Sequence, residues 1–257
     1  MTIDLHNHTP LCKHAVGDPE EYVKKAIEKK IDVYGFADHA PMNFDPDYRM
    51  TFDEMEIYEK KITYLSQKYD NIKILLGYEV DFTPEIDKKV LQRNVDFFIG
   101  SVHFLDNWGF DNPEFIKEWN HRNVDDVYEE YFHLIEKMAE SKLFDIVGHI
   151  DLVKVFGFKP KKPIKDIVKN AIKAIKKSGM AVEINTAGLR KPVKEAYPSD
   201  EILYMLLEEK VDVTFGSDAH SPEQVGFMLK ENIEKIKKIG FDKAVYFEKR
   251  KKITVSI

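Results

Sequence analysis

The sequence predicts an α/β protein, a distorted TIM-like (β/α)7 barrel of parallel strands. Apolar, β-branched runs alternate with helical patterns along all 257 residues, which is typical of parallel βα units. Each of seven such runs ends in a histidine, carboxylate or amide, and barrel enzymes place their active sites at the carboxyl ends of the strands. We find no linker or low-complexity segment between the units. We therefore expect one domain that spans residues 1–257.

The strands are expected in regular succession along the chain. The predicted strands are residues 3–5, 33–37, 72–80, 95–102, 143–148, 180–184 and 211–216. After the first strand, His6 and His8 are two residues apart, so their side chains would point the same way in extended chain. His14 follows after a turn marked by Pro10. Two further β-like runs, residues 244–247 and 253–257, close the sequence.

Capping residues and prolines mark the helices between these strands. The start signals are Asp18-Pro19-Glu20-Glu21, Thr51-Phe52-Asp53-Glu54, Pro84 (for a short helix to about residue 92), Pro163, Ser199 (for a helix to about residue 209) and Ser221-Pro222-Glu223-Gln224. The last of these is expected to start the final long helix directly. Another helix, with Val127, Tyr131, Leu134 and Met138 at helical spacing, follows the loop described next.

The segment of residues 104–122 is long for a βα loop and shows little periodicity. Loops of this length are usually functional or disordered. Trp108 and Trp119 favour a packed lid.

Nine candidate metal ligands fall at the ends of predicted strands. They are His6, His8, His14, His39, Glu79, His103, His149, Asp218 and His220. Any one of them alone is more simply a hydrogen-bonded loop residue. Seven of the nine histidines in the chain belong to this set, whereas chance would scatter them over helices as well. The sequence therefore predicts a metal site at the mouth of the barrel.

Composition limits the other function classes. A net charge of -6 disfavours broad binding to nucleic acid. The chain has neither an apolar run long enough to span a membrane nor the start of a signal peptide. The single cysteine, Cys12, precludes an internal disulfide and fits a reducing cytoplasm. We expect a cytoplasmic enzyme and assign no chemistry to Cys12, while the oligomeric state stays open.

The motifs in order resemble those of the polymerase-and-histidinol-phosphatase (PHP) family. They are His6-Asn7-His8, Ala37-Asp38-His39, Gly77-Tyr78-Glu79, Ser101-Val102-His103, Gly148-His149 and Ser217-Asp218-Ala219-His220. The resemblance covers essentially the whole chain and includes all nine ligand positions. Amidohydrolases also begin with H-x-H on a barrel strand, but they often bridge their metals with a modified lysine, where this chain offers Glu79.

The resemblance implies three divalent ions, which zinc, manganese or iron would suit. By that resemblance the ligands of the first are His6, His8, Glu79 and Asp218, those of the second are Glu79, His103 and His149, and those of the third are His14, His39 and His220. Glu79, Asp218 and His220 are the expected catalytic residues. A pair of such metals can convert a bridging water to hydroxide near neutral pH, and this hydroxide would attack phosphorus.

Phosphate binding needs further positive charge near the metals. Arg190, in the loop after the sixth strand, has a planar guanidinium that suits phosphate. Lys154, five residues after His149, is the second candidate, at a position where the resemblance leads us to expect arginine. Arg49, Arg122 and Lys191 stay open as further candidates.

Within the family, the chain most resembles the monofunctional histidinol-phosphatases. The lid sequence and the run Asn185-Thr186-Ala187-Gly188-Leu189-Arg190-Lys191-Pro192 carry this closer resemblance. It implies hydrolysis of L-histidinol phosphate, a small phosphate monoester, with Asp106 and Asp111 of the lid as partners for the amine and imidazole of that substrate. The alternatives are a PHP nuclease or nucleotide phosphatase, which would need a basic groove, and a non-catalytic PHP module, which would tend to lack ligands.

Overall fold

Seven parallel strands organise the molecule in the computed structural model, which describes residues 1–84 and 86–257. The strands of this sheet are β1 (Ile3–Asp4), β2 (Val33–His39), β3 (Lys73–Asp81), β4 (Phe97–Ser101), β7 (Ile146–Val147), β8 (Ala181–Asn185) and β9 (Val213–Gly216). They pair in that order, each parallel to the next. The predicted barrel is confirmed, although several strands are shorter than expected.

The sheet nearly closes because the chain just beyond β1 pairs with β9 and the chain beyond it. The main-chain N–H of Leu5 donates to the carbonyl of Phe215 at 2.8 Å, and that of His8 donates to Ala219 at 3.0 Å. Asn7 and Ala219 form a parallel bridge. These contacts bring the first and last candidate ligands to the same edge of the barrel.

Helices cover the outside of the sheet. Their bounds in the described residues are α1 (Pro19–Glu28), α2 (Met55–Lys68), α3 (Lys88–Leu91), α4 (Val124–Ser141), α5 (Ile164–Ser178), α6 (Asp200–Glu208) and α7 (Leu229–Ile239). The capping box at Asp18 is confirmed: its carboxylate accepts from the N–H of Glu20, and the Glu21 side chain accepts from the N–H of Asp18. None of the helices in the described residues is long and apolar enough to cross a membrane.

One predicted helix start is wrong, and another lies partly outside the described residues. The expectation that Ser221 starts the last long helix is wrong, because Pro222–Gln224 is a short 3-10 turn and α7 begins at Leu229. The Gln224 side chain accepts from the N–H of His220 at 3.0 Å, so the expected capping pair does not form. The short helix predicted to open at Pro84 includes Glu85, which lies outside the described residues, and α3 itself begins after the capping residue Asp87.

The lid segment contains ordered structure. A small antiparallel hairpin, β5 (Phe104–Leu105) with β6 (Trp108–Gly109), is followed by a 3-10 helix, Pro113–His121. The rings of Trp108 and Trp119 lie 5.2 Å apart, and Trp119 stacks on Phe158. The predicted packing of the two tryptophans is confirmed.

The last two β-like runs pair with each other outside the barrel sheet. They form the antiparallel hairpin of β10 (Lys243–Glu248) and β11 (Lys251–Ser256). The β10 strand packs beside β9.

Candidate metal centre

The structure brings all nine candidate ligands together at the carboxyl ends of the barrel strands. Glu79, at the end of β3, lies at their centre and is buried. Its carboxylate oxygens are 3.2 Å from His6 Nε2, 3.0 Å from His39 Nδ1 and 2.9 Å from His149 Nε2. His103 Nε2 and His8 Nε2 follow at 3.5 and 3.7 Å.

The remaining ligands continue the cluster toward solvent. Asp218 lies 3.1 Å from His8 Nε2 through its Oδ1 atom. The rings of His8 and His220 stack with centroids 4.0 Å apart, and the Nε2 atoms of His220 and His14 are 3.0 Å apart. His6 and His8 are fully buried, whereas His14 is exposed.

The donor atoms suit divalent transition metals. Among the described residues, His6 Nε2 and His39 Nδ1 are buried without a hydrogen-bond partner, although each lies close to Glu79. Groups of three ligand atoms lie within 4.8 Å of one another, among them His6–His8–Asp218, His39–Glu79–His103 and His8–His39–His220. Imidazole and carboxylate donors in such groups are typical of zinc, manganese and iron sites.

His39 lies between two groups of ligand atoms. The resemblance assigns it with His14 and His220, and it groups both with His8 and His220 and with Glu79 and His103; its Nδ1 atom is 3.0 Å from Glu79. Cys12, to which we assign no chemistry from the sequence, lies at the same centre, because its sulfur is within 4.8 Å of ligand atoms of His14 and His220.

Opposite charges in this cluster offset the cost of burial. Burial raises the pKa of Glu79, but His6, His39 and His103 outweigh it and hold that pKa well below its ordinary value. Burial lowers the pKa of His103, yet Asp81 and Glu79 raise it to about 10. The His103 imidazole therefore holds its proton in the metal-free protein at neutral pH, and a metal has to displace that proton.

A cavity of about 660 Å³ opens over the cluster. Arg190 lines it, and its Nη2 atom donates to the carbonyls of Ser217 and Asp218, each at 2.9 Å. In the described part of the chain, the Nη1 atom of Arg190 is buried and has no partner. The guanidinium is thus fixed by one arm and free at the other.

Lys154 lies elsewhere than expected. Its ammonium group is buried and contacts the carboxylates of Asp151 and Glu195 at 2.9 and 3.1 Å and the carbonyl of Ala196 at 2.8 Å. The described residues that line the cavity do not include Lys154. The structure therefore favours a structural role for Lys154 over the expected contact with substrate.

The other candidate cations and the lid acids differ in whether they line this cavity. Lys191 and Arg49 line the cavity, but Arg49 is paired with Asp45 and Asp81. Arg122 stacks over Trp108 and borders a separate surface depression together with Asp106. Asp111 lines the main cavity, so of the two lid acids only Asp111 fits the expected place.

Comparison with known proteins agrees with this geometry. The model of the PHP domain family matches residues 4–187. The chain belongs to the PHP domain family. A Deinococcus radiodurans protein named "Probable histidinol-phosphatase" is 39% identical over 96% of this chain and 97% of its own length. The histidinol-phosphatase of Bacillus subtilis is 29% identical over 90% of this chain and 98% of its own length.

A solved structure supports the fold of this PHP protein. The crystal structure of the histidinol phosphate phosphatase of Lactococcus lactis, complexed with zinc, L-histidinol and phosphate, matches with a TM-score of 0.84. It is 22% identical, and the match covers 98% of each chain. The likeness confirms the barrel.

Sequence reasoning missed the carboxylates that contact the ligand histidines from behind. Glu183, Asp81 and Asp38 accept from the Nδ1 atoms of His6, His103 and His8 at 2.8, 2.8 and 3.3 Å. A detectable signal existed for Glu183, which is a charged residue inside the apolar run Ala181–Asn185. Asp81 follows Glu79 by two residues on one strand, so both face the same side.

Proposed function

We propose that this PHP protein is a histidinol-phosphatase, which hydrolyses L-histidinol phosphate to L-histidinol and phosphate. The observation that carries the proposal is a cavity lined by Arg190 and by seven of the nine candidate metal ligands, with the buried His6 and His8 in contact with Glu79 behind them. The 39% identity to the Deinococcus protein over nearly its full length supports the same substrate.

We infer that three divalent ions, of zinc, manganese or iron, occupy the centre. His6, His8, Glu79 and Asp218 would hold the first ion, and Glu79, His103 and His149 the second. His14, His39 and His220 would hold the third. When bound, such ions supply an activated water and offset the charge of the phosphoryl group. Glu79, Asp218 and His220 are the residues nearest that chemistry. Elemental analysis of the purified protein tests the number of ions.

Arg190 orients the phosphate in this proposal. Arg190 lines the cavity, and within the described residues its Nη1 atom has no hydrogen-bond partner, while its Nη2 atom donates to the carbonyls of Ser217 and Asp218. A fixed guanidinium loses little side-chain entropy when it binds an oxyanion. The phosphate would thus be held beside Asp218.

The organic part of the substrate would lie against the lid. Phe104, Phe115 and Asp111 line the cavity on that side. Within the described residues, Asp111 makes no hydrogen bond or ion pair, so its carboxylate is available to an amine or imidazolium of the substrate. The two phenylalanines supply apolar surface for a small ring.

The remaining assignments follow the same proposal. Residues 1–257 form one domain of the PHP type, since the terminal hairpin packs beside β9. The partner is a small-molecule phosphate monoester, and nucleic acid is not an expected ligand because the net charge is -6. The single cysteine fits a cytoplasmic location.

A side-by-side assay tests the substrate. We would measure kcat/KM on L-histidinol phosphate, p-nitrophenyl phosphate, a nucleoside monophosphate and a short single-stranded oligonucleotide. L-Histidinol phosphate is expected to lead by about two orders of magnitude, which a site with fixed polar groups can supply.

The other outcomes reject this proposal in different ways. Equal rates on the three monoesters would indicate a general phosphatase. Preference for the oligonucleotide would indicate a nuclease. Asp111→Asn should narrow the lead of L-histidinol phosphate over p-nitrophenyl phosphate, because only the former carries an amine.

A further inference from the structure

A buried carboxylate that is not among the candidate ligands lies directly behind the metal centre. Glu183, on β8, is 1% exposed. Its Oε1 atom accepts from His6 Nδ1 at 2.8 Å. Its Oε2 atom accepts from the main-chain N–H of His149 at 2.9 Å and from Asn185 Nδ2 at 3.0 Å. One side chain thus contacts groups from three barrel strands or the loops that follow them.

The contact with His6 determines which ring nitrogen faces the metal centre. An ionised carboxylate only accepts hydrogen bonds, so the proton of neutral His6 has to be on Nδ1. The lone pair of His6 is then on Nε2, the buried atom that faces Glu79 at 3.2 Å. This is the tautomer that can bind a metal there.

The other oxygen of Glu183 reaches further ligands. The N–H of His149 is held where its ring contacts Glu79, and Asn185 Nδ2 also lies 3.3 Å from Asp218 Oδ2. His6, His149 and Asp218 are therefore all linked to the one carboxylate.

Gly216 makes room for this arrangement. A Cβ atom at Gly216 would overlap the Glu183 carboxylate and would lie 2.6 Å from the Cβ of His6. The end of β9 can thus approach His6 and Glu183 closely only without a side chain at this position.

We propose that Glu183 is a positioning residue that fixes His6 in its metal-binding tautomer. It also holds the side chains of His149 and Asp218 in place around the same ions. The inference rests on the proposed metal-dependent function and extends it to a residue outside the ligand set. Asp81 and Asp38 contact His103 and His8 in the same way, but Glu183 links several ligands at once. Its loss should therefore weaken metal binding more than the loss of either aspartate.

Glu183→Gln is the sharpest test because it preserves shape while changing the hydrogen-bonding pattern. Glutamine has one acceptor oxygen and one NH₂ group, so it cannot accept from both His6 and His149. If the NH₂ group faces His6, the ring proton moves to Nε2 and the metal loses a ligand. If the NH₂ group faces the N–H of His149 and the NH₂ group of Asn185, donors face donors and neither hydrogen bond forms.

Metal affinity and the tautomer of His6 are the measurements. Competition with a chelator gives the Kd for Zn²⁺, and long-range ¹H–¹⁵N NMR of the Zn²⁺-loaded protein reports which nitrogen of His6 is protonated. We expect Glu183→Gln to weaken Zn²⁺ binding about 10- to 100-fold, the usual effect of losing a partner behind a ligand. Thr214→Val is the matched control, because Thr214 is buried and pairs in register with Glu183 on the neighbouring strand. It should leave the Zn²⁺ affinity unchanged.

The results separate this inference from the proposed function. A wild-type protein that binds no metal would reject the proposed function itself. A folded Glu183→Gln protein with wild-type Zn²⁺ affinity would overturn the role of Glu183. If that variant does not fold, Glu183→Asp decides: weaker Zn²⁺ binding with His6 still protonated at Nδ1 supports the role, and unchanged affinity contradicts it.

Discussion

At the scale of single residues, the cavity separates two cations that the sequence could not rank. Arg190 lines the cavity and its Nη1 atom has no partner among the described residues, whereas the ammonium group of Lys154 is paired with Asp151, Glu195 and the carbonyl of Ala196. Proximity to His149 along the chain favoured Lys154 in the sequence. Its partner Asp151 lies three positions earlier and is visible in the sequence, but Glu195 and the carbonyl of Ala196 lie more than 40 positions later, and no local pattern reveals those two contacts.

Arg190→Ala should reduce kcat/KM for L-histidinol phosphate by about 10- to 150-fold, because a hydrogen bond to a charged group contributes roughly 1.5–3 kcal/mol. The metal content should not change. Arg190→Lys should recover only part of the loss, because an ammonium group cannot contact the carbonyls of Ser217 and Asp218 and the phosphate at the same time, as the planar guanidinium can. Steady-state kinetics with parallel metal analysis measures both, and wild-type kinetics for Arg190→Ala would assign the phosphate to another cation.

Lys154→Met should reduce the stability of the fold and leave the kinetics nearly unchanged. It leaves the buried carboxylate of Asp151 without its ammonium partner, a change that typically costs about 3–5 kcal/mol. Urea unfolding should show this loss of stability while the KM of the folded enzyme stays within a few-fold of the wild type. A large rise in KM with unchanged stability would restore the original expectation that Lys154 binds substrate.

At the scale of elements, local patterns predicted helix starts well where their partners are close in sequence. Asp18 and Glu21 form the predicted box because both partners lie within one turn. The box at Ser221 fails because a tertiary requirement competes with it. The N–H of Gly226 bonds to the buried Asp4, which ties residues 217–226 to β1 and delays the helix.

Helices α1 and α2 supply a test of pH dependence. Hydrogen bonds from Lys68, Tyr69 and Lys24 lower the pKa of Glu20 from 4.5 to about 2. Because the folded pKa is depressed, this contact stabilises the fold above pH 4.5 and ceases to do so as the pH falls to about 2.

Glu20→Gln should therefore unfold at lower urea than the wild type at pH 6, with a difference that shrinks between pH 4.5 and 2. Glu201→Gln on α6 is the control, an exposed carboxylate for which the described residues supply no ion-pair partner. A difference for Glu20→Gln that is constant with pH would show that the carboxylate charge does not stabilise the helix pair.

At the scale of the whole molecule, the barrel was predictable because the βα alternation and the position of the ligands at strand ends both indicate a barrel of parallel strands. The contacts among the ligands were less predictable. His39 is the last residue of β2, but its contact with Glu79 depends on how far β2 and β3 extend, and strand ends are set by tertiary pairing. Asp81 and Glu183 contact ligands across the sheet, where sequence separation carries no information.

Metal removal should act on the entire barrel. The ligands come from six strands and the loops that follow them, so bound ions would cross-link the strands. Metal at 1,000 times its Kd would stabilise the fold by about 4 kcal/mol. We expect chelation to lower the Tm by several degrees and re-addition of Zn²⁺ or Mn²⁺ to restore it, as calorimetry would show; an unchanged Tm would mean that the ions do not stabilise the fold.

The closure between β1 and β9 also bears on how the protein is made. His6 and His8 leave the ribosome first, but Asp218 and His220 are translated some two hundred residues later. A nascent chain that has not yet extended past Gly216 contains His6, His8 and Glu79 but lacks Asp218 and His220, and Leu5 and His8 lack part of the main chain with which they pair. The full set of nine ligands is therefore assembled only after nearly all of the residues up to His220 have emerged.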